Sequence, residues 1–437
     1  MTMTSLHTTA APKGRGMVAF LACAMALALN HSERVGGINL SLADPLLVLT
    51  VFALLGAKSL RVPTFVGMFF LSVIAISGIT AVAWAPLIFG VEPGNEILTE
   101  VLKMTVSLLF LLCGIGVARM KLEVVVLRCF ALGAAAVASI GVLAALTGLN
   151  FLPDSMYYAG FRFKGFMIDP NYWAVLSNAS IAYLAGDRGM PKGLRTVFIA
   201  SLVGSIILSG SKTGLITLAM VCVVLLLSRA SRSNRRVEWT AVLLLATAAV
   251  VITWDQILAT LDRLVSLYVI QIPQLERISI LLNDPIGAIS ESGSGRDDTW
   301  QSGLSMIESS PILGVGIGSY RNVNGALFGD TAVAHNTYIQ LIAEWGVPLA
   351  LLFFGWIGLL LIRASIYSRN ESVDHVVSVR NMVICFLVGS ISLSLNNARM
   401  FWLFLGILLY LVSELRERAR DDMHRVPAYG VNRDAAK

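Results

Sequence analysis

Charge is what this sequence has least of. Of 437 residues only 14% are Asp, Glu, Lys or Arg, against 56% hydrophobic, and the mean hydropathy is +0.75. A soluble domain carries about 25% charged residues, so that class is excluded and an integral membrane protein is indicated. Cysteine is scarce too: the five, Cys23, Cys113, Cys129, Cys222 and Cys385, all fall in apolar runs and none in a polar loop where a disulfide or thiolate site could form. No His/Cys/Asp/Glu cluster shows metal-ligand spacing, and the only paired outer acids are Asp297 and Asp298, so neither a metal nor any other cofactor is expected. Internal repeats and a separate soluble domain are lacking as well. The stretch Ser209-Gly210-Ser211-Lys212-Thr213-Gly214 looks like a phosphate loop, but it joins two apolar runs and lacks the preceding strand, which excludes an ATP site.

What is present is a series of apolar runs near the length a helix needs to cross about 30 Å of hydrocarbon. Their approximate cores are Met17 to Asn30, Leu40 to Leu55, Thr64 to Trp84, Leu98 to Val117, Leu122 to Leu146, Tyr172 to Ala185, Leu194 to Leu208, Thr213 to Leu227, Trp239 to Trp254, Thr337 to Ile362, Val379 to Leu395 and Met400 to Val412. The fold class predicted is therefore an all-α polytopic membrane protein with about twelve transmembrane helices. It divides into a membrane bundle (1–254), a large and partly helical loop (255–336), further membrane helices (337–413) and a polar tail (414–437).

The net charge of +6 is sorted by side rather than read as a signal for nucleic acid. With a cytoplasmic N-terminus, alternate loops carry Lys58 and Arg61, Arg119 and Lys121, Arg188 to Arg195, Arg229 to Arg236, Arg363 and Arg369, and the tail from Arg416. That bias places both termini in the cytoplasm and the large loop outside. Cations also stand on the side where they are least expected; Arg263 beside Asp262 and Arg277 beside Glu276 read as paired, which leaves Arg162, Lys164, Lys212, Arg296, Arg321 and Arg399. Each is either a solvated or paired side chain or part of a shared outer anion site, and clustered positive charge there attracts phosphate groups.

Within the large loop, Gln256 to Ile270 has the apolar spacing of an interfacial helix. Ser292 to Gly295 reads as a turn, and Arg296 opens a short helix with Trp300, Leu304 and Ile307 on one stripe, ending near Pro311. Gly314, Gly316 and Gly318 follow, a pattern that serves a turn or a close backbone approach. His335 then precedes Asn336, a good N-cap, so the tenth helix starts at Thr337 with its partial positive end toward the loop. A histidine there either caps the helix or accepts a proton, since its ordinary pKa of about 6.5 leaves it basic at neutral pH. Glu344 lies about 900° of helical rotation further on, out of phase with His335. It reads as a positioning residue with a buried partner, with Tyr338 or Trp345 as neighbours.

Taken together, Gly-Arg-Asp-Asp-Thr-Trp (295–300), Pro-Ile-Leu-Gly-Val-Gly-Ile-Gly (311–318), His-Asn-Thr-Tyr (335–338) and Glu-Trp-Gly (344–346) resemble the O-antigen ligase and polymerase family of bacterial envelope glycosyltransferases. Asp169-Pro170-Asn171 and Ser209-Gly210-Ser211-Lys212 look like its other motifs, with Lys212 a point charge where the pattern has the fork of an arginine. The resemblance implies an enzyme of the bacterial inner membrane with its site on the periplasmic face. It implies a donor saccharide on undecaprenyl pyrophosphate, an acceptor hydroxyl on lipid A-core or on another lipid-linked saccharide, and metal-independent transfer with inversion. Arg296 and Arg321, with Arg162, Lys164, Arg399 and Lys212, would hold the pyrophosphate, His335 would take the acceptor's proton, and Asn336, Tyr338, Trp300 and Glu344 would position them. The rival from another class is a transporter or flippase of a lipid-linked sugar or small anion, which places ionisable or broken-helix sites near mid-membrane.

Overall fold

The computed structural model describes residues 14–35, 38–148, 151–232, 296–370 and 374–425, with Gln256, Ala259 and Arg263. The expected ninth span, Trp239 to Trp254, most of the Gln256 to Ile270 helix and the Ser292 to Gly295 turn lie outside the described residues. Each of the other apolar runs is a helix. In chain order these are α1 (Arg15–Ala28), α2 (Ala43–Gly56), α3 (Thr64–Ile79), α4 (Ala85–Phe89), α5 (Glu96–Arg119), α6 (Glu123–Thr147), α7 (Pro170–Leu184), α8 (Lys192–Leu208) and α9 (Lys212–Arg232). The short α10 (Arg296–Ser309) and α11 (Tyr320–Phe328) come next, followed by α12 (Thr337–Asn370), α13 (Asp374–Gly389) and α14 (Arg399–Arg425). A π-helical turn, Thr80–Trp84, joins α3 to α4, and among the described residues the strands form two small antiparallel pairs, β1 (Glu33–Val35) with β2 (Ile38–Leu40) and β3 (Tyr157–Tyr158) with β4 (Arg162–Phe163).

Among the described residues, four helices are long and apolar enough to cross a membrane: Thr64–Phe89, Glu96–Arg119, Glu123–Thr147 and Thr337–Ser368. The apolar helices α1, α2 and Lys212–Ser228 are shorter. A helix of 14 residues, such as α1, rises only about 21 Å, less than the hydrocarbon thickness. Apolar length in sequence and helix length thus differ at several of the expected spans. The eleventh expected span is the plainest case: its helix stops at Gly389, and the chain runs to Ala398 as a turn-rich loop rather than a helix to Leu395.

The centre of the bundle is built by helices that are apolar on all sides, as burial requires. Trp173 to Leu184 of α7 are buried without a break, and so are Met400 to Leu408 of α14. Helices α5 and α14 cross with almost no space between them. A Cβ on Gly114 would lie 2.2 Å from the Leu403 carbonyl oxygen, and one on Gly406 would lie 2.0 Å from that of Leu111. Lipid-facing character falls instead on α3, where Phe65, Met68, Leu71 and Ile79 are exposed.

One end of the bundle carries His335; the other is held by ion pairs. There Asp187, in the loop between α7 and α8, accepts from Arg128 Nε at 2.8 Å and Nη2 at 2.7 Å and from the Gly189 amide. Burial pushes the Asp187 carboxyl up, but the Arg128 guanidinium and the Gly189 amide outweigh it and hold the group below its ordinary range. A depressed carboxyl contributes stability that is present above its unfolded pKa and disappears as pH falls through the folded value. Asp187→Asn is therefore expected to lower stability at pH 7 by roughly 1.5–3 kcal/mol, the worth of hydrogen bonds to a charged group. Thermal unfolding in detergent at descending pH checks this: the gap between wild type and variant should close below about pH 4.

The segment before α11 fixes the His335 end. Gly346 has φ 78 and ψ 160 and breaks α12, and Pro348 two residues later has no N–H. In an unbroken helix Val347 would donate to Ala343 and residue 348 to Glu344. Both carbonyls are instead taken by the glycine-rich segment: Val315 N–H donates to the Ala343 oxygen at 2.7 Å and Gly316 N–H to the Glu344 oxygen at 3.0 Å. Val347 N–H donates in turn to the Pro311 oxygen at 2.8 Å. The same segment reaches the π-helical turn, where Ile317 N–H donates to the Ser77 oxygen and Trp84 Nε1 to Ser310 Oγ. Residues 311–318 thus form a strap across the break in α12, and their glycines are required by close contact: a Cβ on Gly316 would stand 2.2 Å from the Ala81 nitrogen.

Candidate active site

His335 is exposed and has φ 47, one of four non-glycine residues with positive φ among the described residues. That left-handed turn swings the chain from the loop into α12. Asn336 caps the helix as expected, its Oδ1 accepting from the Tyr338 and Ile339 amides at 3.0 and 3.1 Å. Thr337 then ties the helix start to the loop between α13 and α14: its N–H donates to the Ser390 oxygen, its Oγ1 donates to the Leu393 oxygen, and the Leu395 N–H donates to that Oγ1.

Whereas His335 lies outside the helix in a left-handed turn, Glu344 is buried two turns into α12. Its partner is Gln340, one turn back, whose Nε2 lies 3.5 Å from Oε1, and the Gly318 amide also donates to the carboxylate. Gln340 Oε1 accepts from Ser394 Oγ at 2.9 Å. Glu344 therefore ties together the strap, α12 and the 390–398 loop. Tyr338 is turned elsewhere, with its hydroxyl donating to the Leu387 oxygen and its ring beside Phe354. Trp300 is half-buried in α10, its Nε1 buried with no hydrogen-bond partner among the described residues, while Gly303 one turn on packs against Ile339 and Tyr320.

The cations sort into distinct settings. Arg296 opens α10, but its side chain lies outside the described residues. Arg321 is exposed in the first turn of α11, directly after the strap. Lys212 is half-buried at the start of α9, and the neighbouring Thr213 hydroxyl lies 2.7 Å from that of Ser392, so its turn meets the same loop that holds Thr337. Arg162 is buried, with Nε donating to the Ser209 oxygen at 2.8 Å and Nη2 to Asn171 Oδ1 at 3.2 Å; Ser211 Oγ donates to that same Oδ1. Lys164 donates to the Met167 oxygen, and burial pulls its ammonium below the ordinary lysine range against the opposing pull of Asp169 and Glu33. Arg399 forms a two-pronged pair with Asp44, at 2.5 and 2.7 Å, and donates to the Asn39 oxygen. Arg162 and Arg399 thus brace loops at this end, whereas Arg321 is exposed.

The sequence reading passed over Glu100 and Asn397. Glu100 pairs with Lys103 at 2.6 Å and accepts from Asn397 Nδ2 at 2.8 Å, linking α5 to the 390–398 loop. Between Glu100, Glu344, Asn397, Trp345 and Trp402 lies a cavity of about 10 Å³, the room of one water molecule. An acid within an apolar helix was the available signal.

The described helices, four of them long and apolar enough to cross a membrane, mark a membrane protein, and one end of it gathers an exposed histidine, a buried acid and cations on interlocked helix starts. The O-antigen ligase family model matches residues 197–354, which supports the assignment to the O-antigen ligase and polymerase family drawn from the motifs. A match to that family implies a glycosyltransferase-type enzyme. The matched segment contains Lys212, Arg296, Arg321, His335 and Glu344, and leaves Arg162, Lys164 and Arg399 outside it. No curated protein matches the chain.

Proposed function

We propose that this enzyme transfers a saccharide from undecaprenyl pyrophosphate to an acceptor hydroxyl at the periplasmic face of the bacterial inner membrane, without a metal and with inversion at the anomeric carbon. The observation that carries the reading is the setting of His335: exposed, outside the helix, and at the positive end of α12 within the family-matched segment. His335 accepts the acceptor's hydroxyl proton as that oxygen bonds to the anomeric carbon. The bond from that carbon to the pyrophosphate oxygen breaks on the opposite side, and the departing charge is met by Arg321, Lys212 and Arg296. Arg162, Lys164 and Arg399 support this anion site from the surrounding loops. An apolar groove of about 310 Å³ between the π-helical turn and Leu313, lined by Ile76, Ile79, Trp84 and Leu87, suits the hydrocarbon tail of such a donor. The acceptor is lipid A-core if the enzyme is a ligase and a second lipid-linked saccharide if it is a polymerase.

The break at Gly346 beside a buried acid is the one feature that favours a transporter instead. The two carbonyls it frees, those of Ala343 and Glu344, however, each accept an amide from the strap. A deletion strain separates the readings. Lipid-linked polymer accumulating with no glycan on the surface indicates a ligase, and a single attached repeat indicates a polymerase. Lipid-linked saccharide trapped on the cytoplasmic side would mean transport and would sink the transferase reading.

A further inference from the structure

The strands β3 and β4 form a hairpin closed by Ala159 and Gly160, at φ 52 and 78, with Tyr157 opposite Phe163 and Tyr158 opposite Arg162. Strand alternation puts the first pair on one face and the second pair on the other. The first face is rooted in the bundle: Phe163 is fully buried, edge-on to Tyr157 at 5.9 Å and to Trp173 at 5.6 Å. On the second face the Arg162 guanidinium sits 5.9 Å from the Tyr158 ring centroid, within cation–π range. That guanidinium is itself fixed by Ser209 and Asn171. Tyr158 nevertheless keeps 49% of its surface exposed, and Phe166 after the hairpin keeps 45%.

We propose that Tyr158, backed by Arg162, is a stacking platform for a sugar ring of the lipid-linked substrate; this rests on the glycosyl-transfer reading above. An exposed aromatic ring already pinned in place has lost its rotamer freedom before any ligand arrives, so binding to it costs little further ordering. The electron-rich face of the ring attracts the polarised C–H bonds along one side of a pyranose. The hairpin joins α6 to α7, and its buried face is set against Gly141 of α6 and Trp173 of α7, which leaves the Tyr158 ring on the exposed side. Its position beside the anion site follows from Arg162: Ser209, which it binds, opens the turn leading to Lys212, and Ser211 shares the Asn171 oxygen with it.

The test uses full-length protein in nanodiscs. Transfer is measured with lipid-linked saccharide extracted from the host's membranes, and contact is measured by saturation-transfer NMR with free oligosaccharides released by mild acid from that lipid and from the host's surface glycolipid. Tyr158→Ala is expected to raise KM for one substrate about five- to ten-fold with kcat within about two-fold, and to abolish the NMR contact. Tyr158→Phe, which keeps the ring, should preserve both. A KM change on the donor side assigns the platform to the donor sugar, and one on the acceptor side to the acceptor. Tyr158-dependent NMR contact in a wild-type protein that transfers nothing would reject glycosyl transfer and leave the platform standing. Any other pattern, including no contact with wild type or equal contact with Tyr158→Ala, overturns the platform.

Discussion

Replacing His335 with alanine is expected to reduce glycan transfer by about 10²- to 10⁴-fold, the range a positioned general base contributes. The protein should remain folded in the membrane, because the residue is exposed and the helix start is held by its neighbours: Asn336 caps α12, and Thr337 binds Ser390, Leu393 and Leu395. The backbone at φ 47 supplies a control. Alanine is disfavoured in the left-handed region, whereas asparagine tolerates it but cannot accept a proton at neutral pH. His335→Asn should therefore match His335→Ala in lost turnover while keeping a wild-type unfolding temperature. Initial transfer rates and thermal unfolding of both variants, in the same detergent, make the measurement. Near-normal transfer by either one would remove His335 from the chemistry.

Much of this end was legible because local rules decide it. An asparagine before an apolar helix caps it, as Asn336 does, and Asp169 caps α7 through the Asn171 and Tyr172 amides for the same reason. Glu344 and His335 do lie apart, but because His335 stands outside the helix at φ 47 rather than through helical phase. Partners distant in sequence were not legible. Nothing near Arg399 points to Asp44, 355 residues away, or near Asn397 to Glu100, 297 away, so an outer cation reads as an open anion ligand when its loop has recruited a carboxylate. Helix length was similarly hidden, since an apolar run does not reveal where the backbone turns, as it does after Gly389. The glycines at 314, 316 and 318 are ambiguous for the same reason. Their need is set by Ala81, Glu96 and Ala343, and by a break in α12 that an isolated Gly and Pro in an apolar helix do not by themselves announce.

That break is where the second large effect is expected. Gly346 adopts φ 78 with ψ 160, a region essentially restricted to glycine, and a Cβ there would lie 2.1 Å from the Ile312 carbonyl oxygen, a backbone atom that cannot rotate away. Gly346→Ala thus carries backbone strain of roughly 1–3 kcal/mol and must also displace the strap. Displacement costs more than the clash, because the Ala343 and Glu344 oxygens and the Val347 amide would lose Val315, Gly316 and Pro311 together, at a depth where water does not replace them readily. Since the strap leads directly into Tyr320 and Arg321 and holds the half-helix behind His335, transfer should fall along with stability. Gly355, further along the same helix, is the internal comparison. Nothing lies within 4 Å of a Cβ there, and its φ is not positive, so Gly355→Ala is expected to be neutral or slightly stabilising through helix propensity. Unfolding temperature and transfer rate for the two variants distinguish a required break from a tolerated one. Equal behaviour of Gly346→Ala and Gly355→Ala would mean that α12 can straighten, and that the strap does not hold the residues on either side of it in register.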